Sequence, residues 1–117
     1  MTNRKNDPQK YMMVGEVAEK MGVSVRTLQY YDKEGLLSPS AQSEGGRRLY
    51  SNEDLVMLHQ ILSLKSLGFS LSDIKERLPR LDTPEDVAKA LKEQADEIKQ
   101  KISHLTASLK EIEQLRQ

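Results

Sequence analysis

The chain has 117 residues, enough for one small domain with an appendage, and its 37% hydrophobic and 4% aromatic content is lean for a compact globule of that length. Lys plus Arg and Asp plus Glu balance at 18 each, so net charge points to no polyanionic partner and any basic surface has to be local. Without cysteine, disulfides and thiolate metal sites are excluded; His59 and His104 stand alone, and no apolar run is long enough to cross a bilayer.

Residues 1–10 are polar and carry no apolar signal core, so 1–12 is assigned as a disordered arm and a soluble, cytoplasmic protein is the default. Val14, Val17, Ala18 and Met21 have helical spacing, and Gly22 stops the run. Ser24 is a good N-cap for a second helix over 25–34, which Gly35 ends. Two short helices around a tight glycine-containing turn predict a helix-turn-helix. On the second helix Val25, Leu28 and Tyr31 should face the core. Arg26, Gln29, Tyr30 and Lys33 then lie on the other side.

That outer set suits a major groove. Arginine forks onto guanine or phosphate, glutamine brackets adenine, and Thr27 can meet a phosphate or a thymine methyl. An ordinary solvated face has the same composition, so the helix alone does not decide. Residues 38–50 lack a helical period, and Gly45-Gly46 can supply positive φ in a hairpin turn, which predicts a small β-hairpin wing. Arg47 and Arg48 follow that turn, where a hairpin tip can reach a phosphate backbone or simply meet solvent. Tyr50 is either a phosphate donor or a prop under the wing.

Ser51 or Asn52 caps the next helix, which Leu55, Leu58, Ile61 and Leu62 carry to Gly68. Lys65 near its end suits the helix dipole or a DNA contact. A shorter helix starts at Ser70 and ends near Pro79. Thr83-Pro84-Glu85-Asp86 then combines cap, N1 proline and acidic first turn, and nothing breaks the helix over 84–117. Its apolar residues alternate steps of four and three: Leu91, Ile98, Leu105 and Ile112 at d, Ala95, Ile102 and Leu109 at a. So narrow a stripe fits a coiled-coil seam better than a globular face, with packing onto its own head as the alternative. The pattern does not give the polarity of the pair.

The predicted fold is therefore mainly α: a winged helix-turn-helix head over 13–81 with a β-hairpin wing, and a long coiled-coil helix over 82–117. Paired carboxylates, a nucleophile with its base, a metal cluster and a phosphate loop are all missing from the sequence, so an enzyme is the least favoured class and no cofactor is called for. A DNA-binding regulator competes with an adaptor whose helical head merely displays a dimerising coil.

The stretches VGEVAEKMGVSVRTLQYYDKEGLLSPS, GGRRLYSNEDL and LGFSLSDIKERL, in this order and spacing, resemble the MerR family of bacterial transcription regulators. The resemblance runs from about Met13 to Leu78, and LHQILSLKSLGFSLSDIKE looks most like the multidrug- and thiopeptide-responsive members. It implies a homodimer through an antiparallel coiled coil, a double-stranded DNA partner with an inverted-repeat operator in the promoter spacer, distortion of that spacer, and RNA polymerase at the promoter. By the resemblance Arg26, Thr27 and Tyr30 fall on the DNA-reading helix, Arg48 and Tyr50 among the wing contacts, and Lys65 on a backbone contact, while Tyr31 is mainly structural. Gln29 stands where many members have arginine and Arg47 where an aromatic is common. Members that sense metals or oxidants use cysteines after the coil, and drug-sensing members carry a further domain there. A fragment of a longer regulator, or a short form without a built-in trigger, is expected.

Overall fold

The computed structural model describes residues 11–117; of the arm expected over 1–12, residues 1–10 lie outside the described residues. The chain divides into two compact units, the first through Lys75 and the second from Glu76, and the break falls inside a helix.

The first unit begins with β1 (Met12–Met13), so Met12, assigned from sequence to the arm, belongs to a sheet. Helix α1 (Val14–Met21) follows directly; the Met13 amide donates to Glu16 Oε1 at 3.0 Å, which satisfies a donor the helix leaves open. Gly22, at φ +71°, closes α1 in the left-handed region that glycine enters without strain. Helix α2 (Val25–Lys33) starts at Ser24, whose Oγ accepts from the Thr27 amide at 3.0 Å. After α2 the chain reverses, with the Leu36 amide donating to the Tyr31 carbonyl at 2.9 Å. From α4 (Leu71–Arg77), Lys75 Nζ donates to the Glu34 carbonyl at 2.8 Å, a cation on the negative end of α2.

The wing is β2 (Ala41–Gln42) and β3 (Arg48–Tyr50), antiparallel, with Gln42 opposite Arg48 and Ala41 opposite Leu49. Its turn is closed by the Gly46 amide on the Ser43 carbonyl at 2.9 Å, and Gly46 carries the positive φ, +83°. β1 pairs with the other edge of β3, Met12 opposite Tyr50, so the wing is the outer part of a three-stranded sheet in the order β1-β3-β2. Helix α3 (Asn52–Ser66) begins with a capping box between Ser51 and Asp54. Val17 and Ala18 of α1, Leu28 and Tyr31 of α2, Tyr50 of β3, Leu58 and Ile61 of α3, Phe69 and Ile74 are buried and form the head's core.

In the second unit a 3₁₀ turn (Leu78–Arg80) holds Pro79, which has no N–H to continue an α-helical ladder. Helix α5 (Pro84–Leu115) is the longest element, roughly 48 Å at 1.5 Å per residue. Thr83 and Asp86 cap it reciprocally, with the Asp86 amide on Thr83 Oγ1 at 3.1 Å and the Thr83 amide on Asp86 Oδ2 at 3.2 Å. The face of α5 buried within the chain is Ala90 and Gln94, one position off the predicted stripe. The stripe itself is exposed, Ile102 at 58% and Leu105 at 66%. Among the described residues no helix is long and apolar enough to cross a membrane.

Candidate nucleic-acid interface

Helix α2 is amphipathic in the sense its sequence predicts. Leu28 and Tyr31 are buried and Val25 is half-buried, while Arg26, Gln29, Tyr30 and Lys33 are exposed. Arg26, Tyr30 and Lys33, at steps of four and three, form one stripe along the helix. Tyr30 is unusual there, a large aromatic ring 49% exposed on an otherwise polar face. Thr27 is half-buried, and its hydroxyl shares a hydrogen bond with Ser24 Oγ at 2.9 Å. Thr27 lies in the first turn of α2, where open amides and the helix dipole favour an anion.

The wing brings its arginines to the same unit. Arg47 is exposed, its amide donates to Ser43 Oγ at 3.1 Å, and its Nη1 lies 3.5 Å from Met13 Sδ. Arg48 is exposed as well, but its Nη2 is 2.7 Å from Asp32 Oδ2 on α2. An open cavity of about 250 Å³ separates helix from wing, lined by Met13, Gln29, Pro39, Arg47, Arg48 and Tyr50 among others. Lys65 is exposed in the last turn of α3. The wing's base is fixed by Asp54, whose Oδ2 accepts from the Ser40 amide at 3.1 Å, Ser40 Oγ at 2.7 Å and the Ser51 amide at 2.8 Å.

Tyr50, on the central strand, is only 2% exposed and lines the cavity between helix and wing. Burial pushes its phenol above the ordinary range; the Asp32 and Asp54 carboxylates push the same way and Arg48 opposes them. Tyr31 is raised by burial alone. Asp32 carries no motif signal, and sequence reasoning missed it; Asp54 is legible as an acid in the first turn of α3, but not its bond to Ser40, and the partners Arg48 and Ser40 lie 16 and 14 residues away. No group of histidine and carboxylate side chains fit to hold a metal occurs among the described residues. The positions expected to form the seam, Leu91, Ala95, Ile98, Ile102, Leu105, Leu109 and Ile112, are all exposed along α5.

Known proteins match both units. Residues 12–81 match the family described as MerR HTH family regulatory protein, and residues 55–115 match MerR, DNA binding. The HTH-type transcriptional activator mta of Bacillus subtilis is 41% identical over 104 residues, covering 82% of this chain and 40% of that protein. The chain thus spans well under half the length of this relative. Among solved structures, MtaN, the N-terminus of the Bacillus subtilis multidrug transporter activator, is 42% identical with a TM-score of 0.79, covering 88% of this chain and 95% of that one. HiNmlR, a MerR family regulator lacking the sensor domain and solved bound to promoter DNA, is 35% identical with a TM-score of 0.64, covering 86% and 79%. The matched proteins are transcription regulators, not enzymes.

Proposed function

The chain belongs to the MerR family of helix-turn-helix regulatory proteins, and from that premise we propose that it is a sequence-specific DNA-binding transcription regulator acting as a homodimer. The observation that carries this is the exposed Arg26, Gln29 and Tyr30 face of a capped helix beside a wing bearing Arg47 and Arg48. Helix α2 reads base edges in the major groove, with Arg26 and Gln29 as the bidentate readers. Arg47, Arg48 and Lys65 hold phosphates, and Thr27 adds a contact at the helix N-terminus. Tyr30 lies against sugar or base. Tyr50 supports the wing from beneath.

Residues 13–81 are the DNA-binding part and residues 82–117 the dimerisation helix. The apolar stripe of α5 pairs with a second copy, antiparallel, which relates the two heads by a two-fold axis. Two heads related by a two-fold axis require an inverted repeat. The operator lies in a promoter spacer whose central base pairs are bent or untwisted, and RNA polymerase is the partner that uses the altered spacer. The likeness to the multidrug transporter activator of Bacillus subtilis supports this reading, and the cytoplasm is where such a regulator works.

The test compares Arg26→Ala and Arg48→Ala on a duplex selected by the wild-type protein and on random duplex. Arg26→Ala should cost about 1–3 kcal/mol on the selected site and little on random DNA. Arg48→Ala should weaken both alike. Unchanged affinity in Arg26→Ala removes α2 from base readout. Absence of any salt-sensitive binding by the wild type favours the adaptor instead.

A further inference from the structure

We propose that Asp32 is a positioning residue for DNA binding: from α2 it holds the Arg48 guanidinium so that the fork's remaining donors face a phosphate at the wing. The proposal rests on the DNA-binding reading above and adds a residue to it that touches no DNA itself.

The geometry is a bridge between two elements. Asp32 follows the buried Tyr31, so its side chain leaves the helix at the edge of the core and is 26% exposed. Its Oδ2 meets Arg48 Nη2 at 2.7 Å, a short charge-assisted contact. Arg48 opens β3, the central strand of the sheet, and stands opposite Gln42 on the wing's other strand. One guanidinium nitrogen is engaged by Asp32, and the Arg48 side chain is still 51% exposed. Among the described residues no second carboxylate pairs with the planar fork, so its other N–H groups can meet another anion.

Stability does not explain the pair. An ion pair exposed to this degree adds little to folding, because water screens it and two side chains lose rotamer freedom. Its effect is on preparation. A free arginine loses that freedom only when it meets DNA, whereas Arg48 is already held. Coulomb's law makes the opposite forecast for Asp32 if it has no such use. A carboxylate beside a phosphate-binding wing repels DNA, so removing its charge should tighten binding. The sign of the effect therefore separates the two accounts.

The experiment is fluorescence anisotropy with the wild-type protein's selected duplex, titrated across a salt series. The proteins are wild type, Asp32→Asn, Asp32→Glu, Arg48→Ala and the Asp32→Asn/Arg48→Ala double variant, each with a thermal melt. Losing one phosphate contact removes about 0.9 from the salt slope per head, which is about fivefold in affinity per head at about 0.15 M salt. Asp32→Asn should weaken binding by that amount and flatten the slope as Arg48→Ala does. The double variant should lose no more than either single one, and Asp32→Glu should recover part of the slope. Tighter or unchanged binding in Asp32→Asn overturns the proposal, as do additive losses. Weaker binding with a wild-type slope and a lowered melting temperature also overturns it, since that is a structural role. Wild type that binds no duplex defeats the DNA-binding reading itself, and is a distinct result.

Discussion

Substituting Ile102 by aspartate strikes the proposed dimer at one point whose magnitude follows from the structure. Ile102 is 58% exposed, and that is the part a partner helix would cover. Full burial of an isoleucine contributes about 1.5–3 kcal/mol, so the covered fraction contributes about 1–2 kcal/mol per protomer and about 2–4 kcal/mol per dimer. Aspartate forfeits this and sets a carboxylate in an apolar seam, which costs several further kcal/mol for each unpaired charge. A total above about 5 kcal/mol is more than a thousandfold in the dissociation constant. Sedimentation equilibrium at micromolar concentration should therefore find Ile102→Asp near the monomer mass of 13.3 kDa and wild type near twice that. Ile102→Ala, which loses burial but adds no charge, should fall between them. Gln100→Asp, two residues away on the outer side of the stripe, should remain a dimer. A persistent Ile102→Asp dimer would refute the seam and move the contact to another surface.

Asp54→Ala removes the acceptor shared by Ser40 and Ser51 and should destabilise the head by about 1–3 kcal/mol, lowering its melting midpoint by several degrees. Tyr31 and Tyr50 both have phenols raised above the ordinary value of about 10, so the neutral form favours the fold. Their contribution is whole below that value and is lost as pH rises through the raised folded values; tyrosinate absorbance and helicity in alkali should show late ionisation and unfolding together. Footprinting with a groove-width-sensitive reagent should show a hypersensitive centre between two protected half-sites, and changing the untouched central pairs should alter affinity through deformability alone. A flat centre with one protected half-site would point to a simple occluding binder.

Much of this architecture is legible because it is written locally. Gly22, Ser24, Gly35 and the Thr83-Pro84 pair each act within a turn of their own position, and the helices begin and end at them to within a residue or two. The inner and outer faces of α2 follow from the helical period alone. What stayed hidden depends on pairing across the chain. β1 is two residues long, too short for any alternation, and forms only because Leu49 and Tyr50 offer a free strand edge. The burial of Tyr50 follows from its place on the central strand, which the hairpin by itself does not reveal. Asp32 looks like an ordinary solvated acid until the fold brings it to Arg48, and Asp54, readable as a first-turn acid of α3, gives no sign of its bond to Ser40. On α5 the apolar stripe is periodic and visible. Ala90 and Gln94, buried one step to the side, break no pattern and give no signal.

The most direct measurement is selection of bound sequences from a random duplex pool by the purified chain. The account predicts enrichment of an inverted repeat with two conserved half-sites flanking a centre selected only for deformability, bound with a steep inverse dependence on salt. No enrichment, or a single half-site held as tightly as the pair, would contradict it.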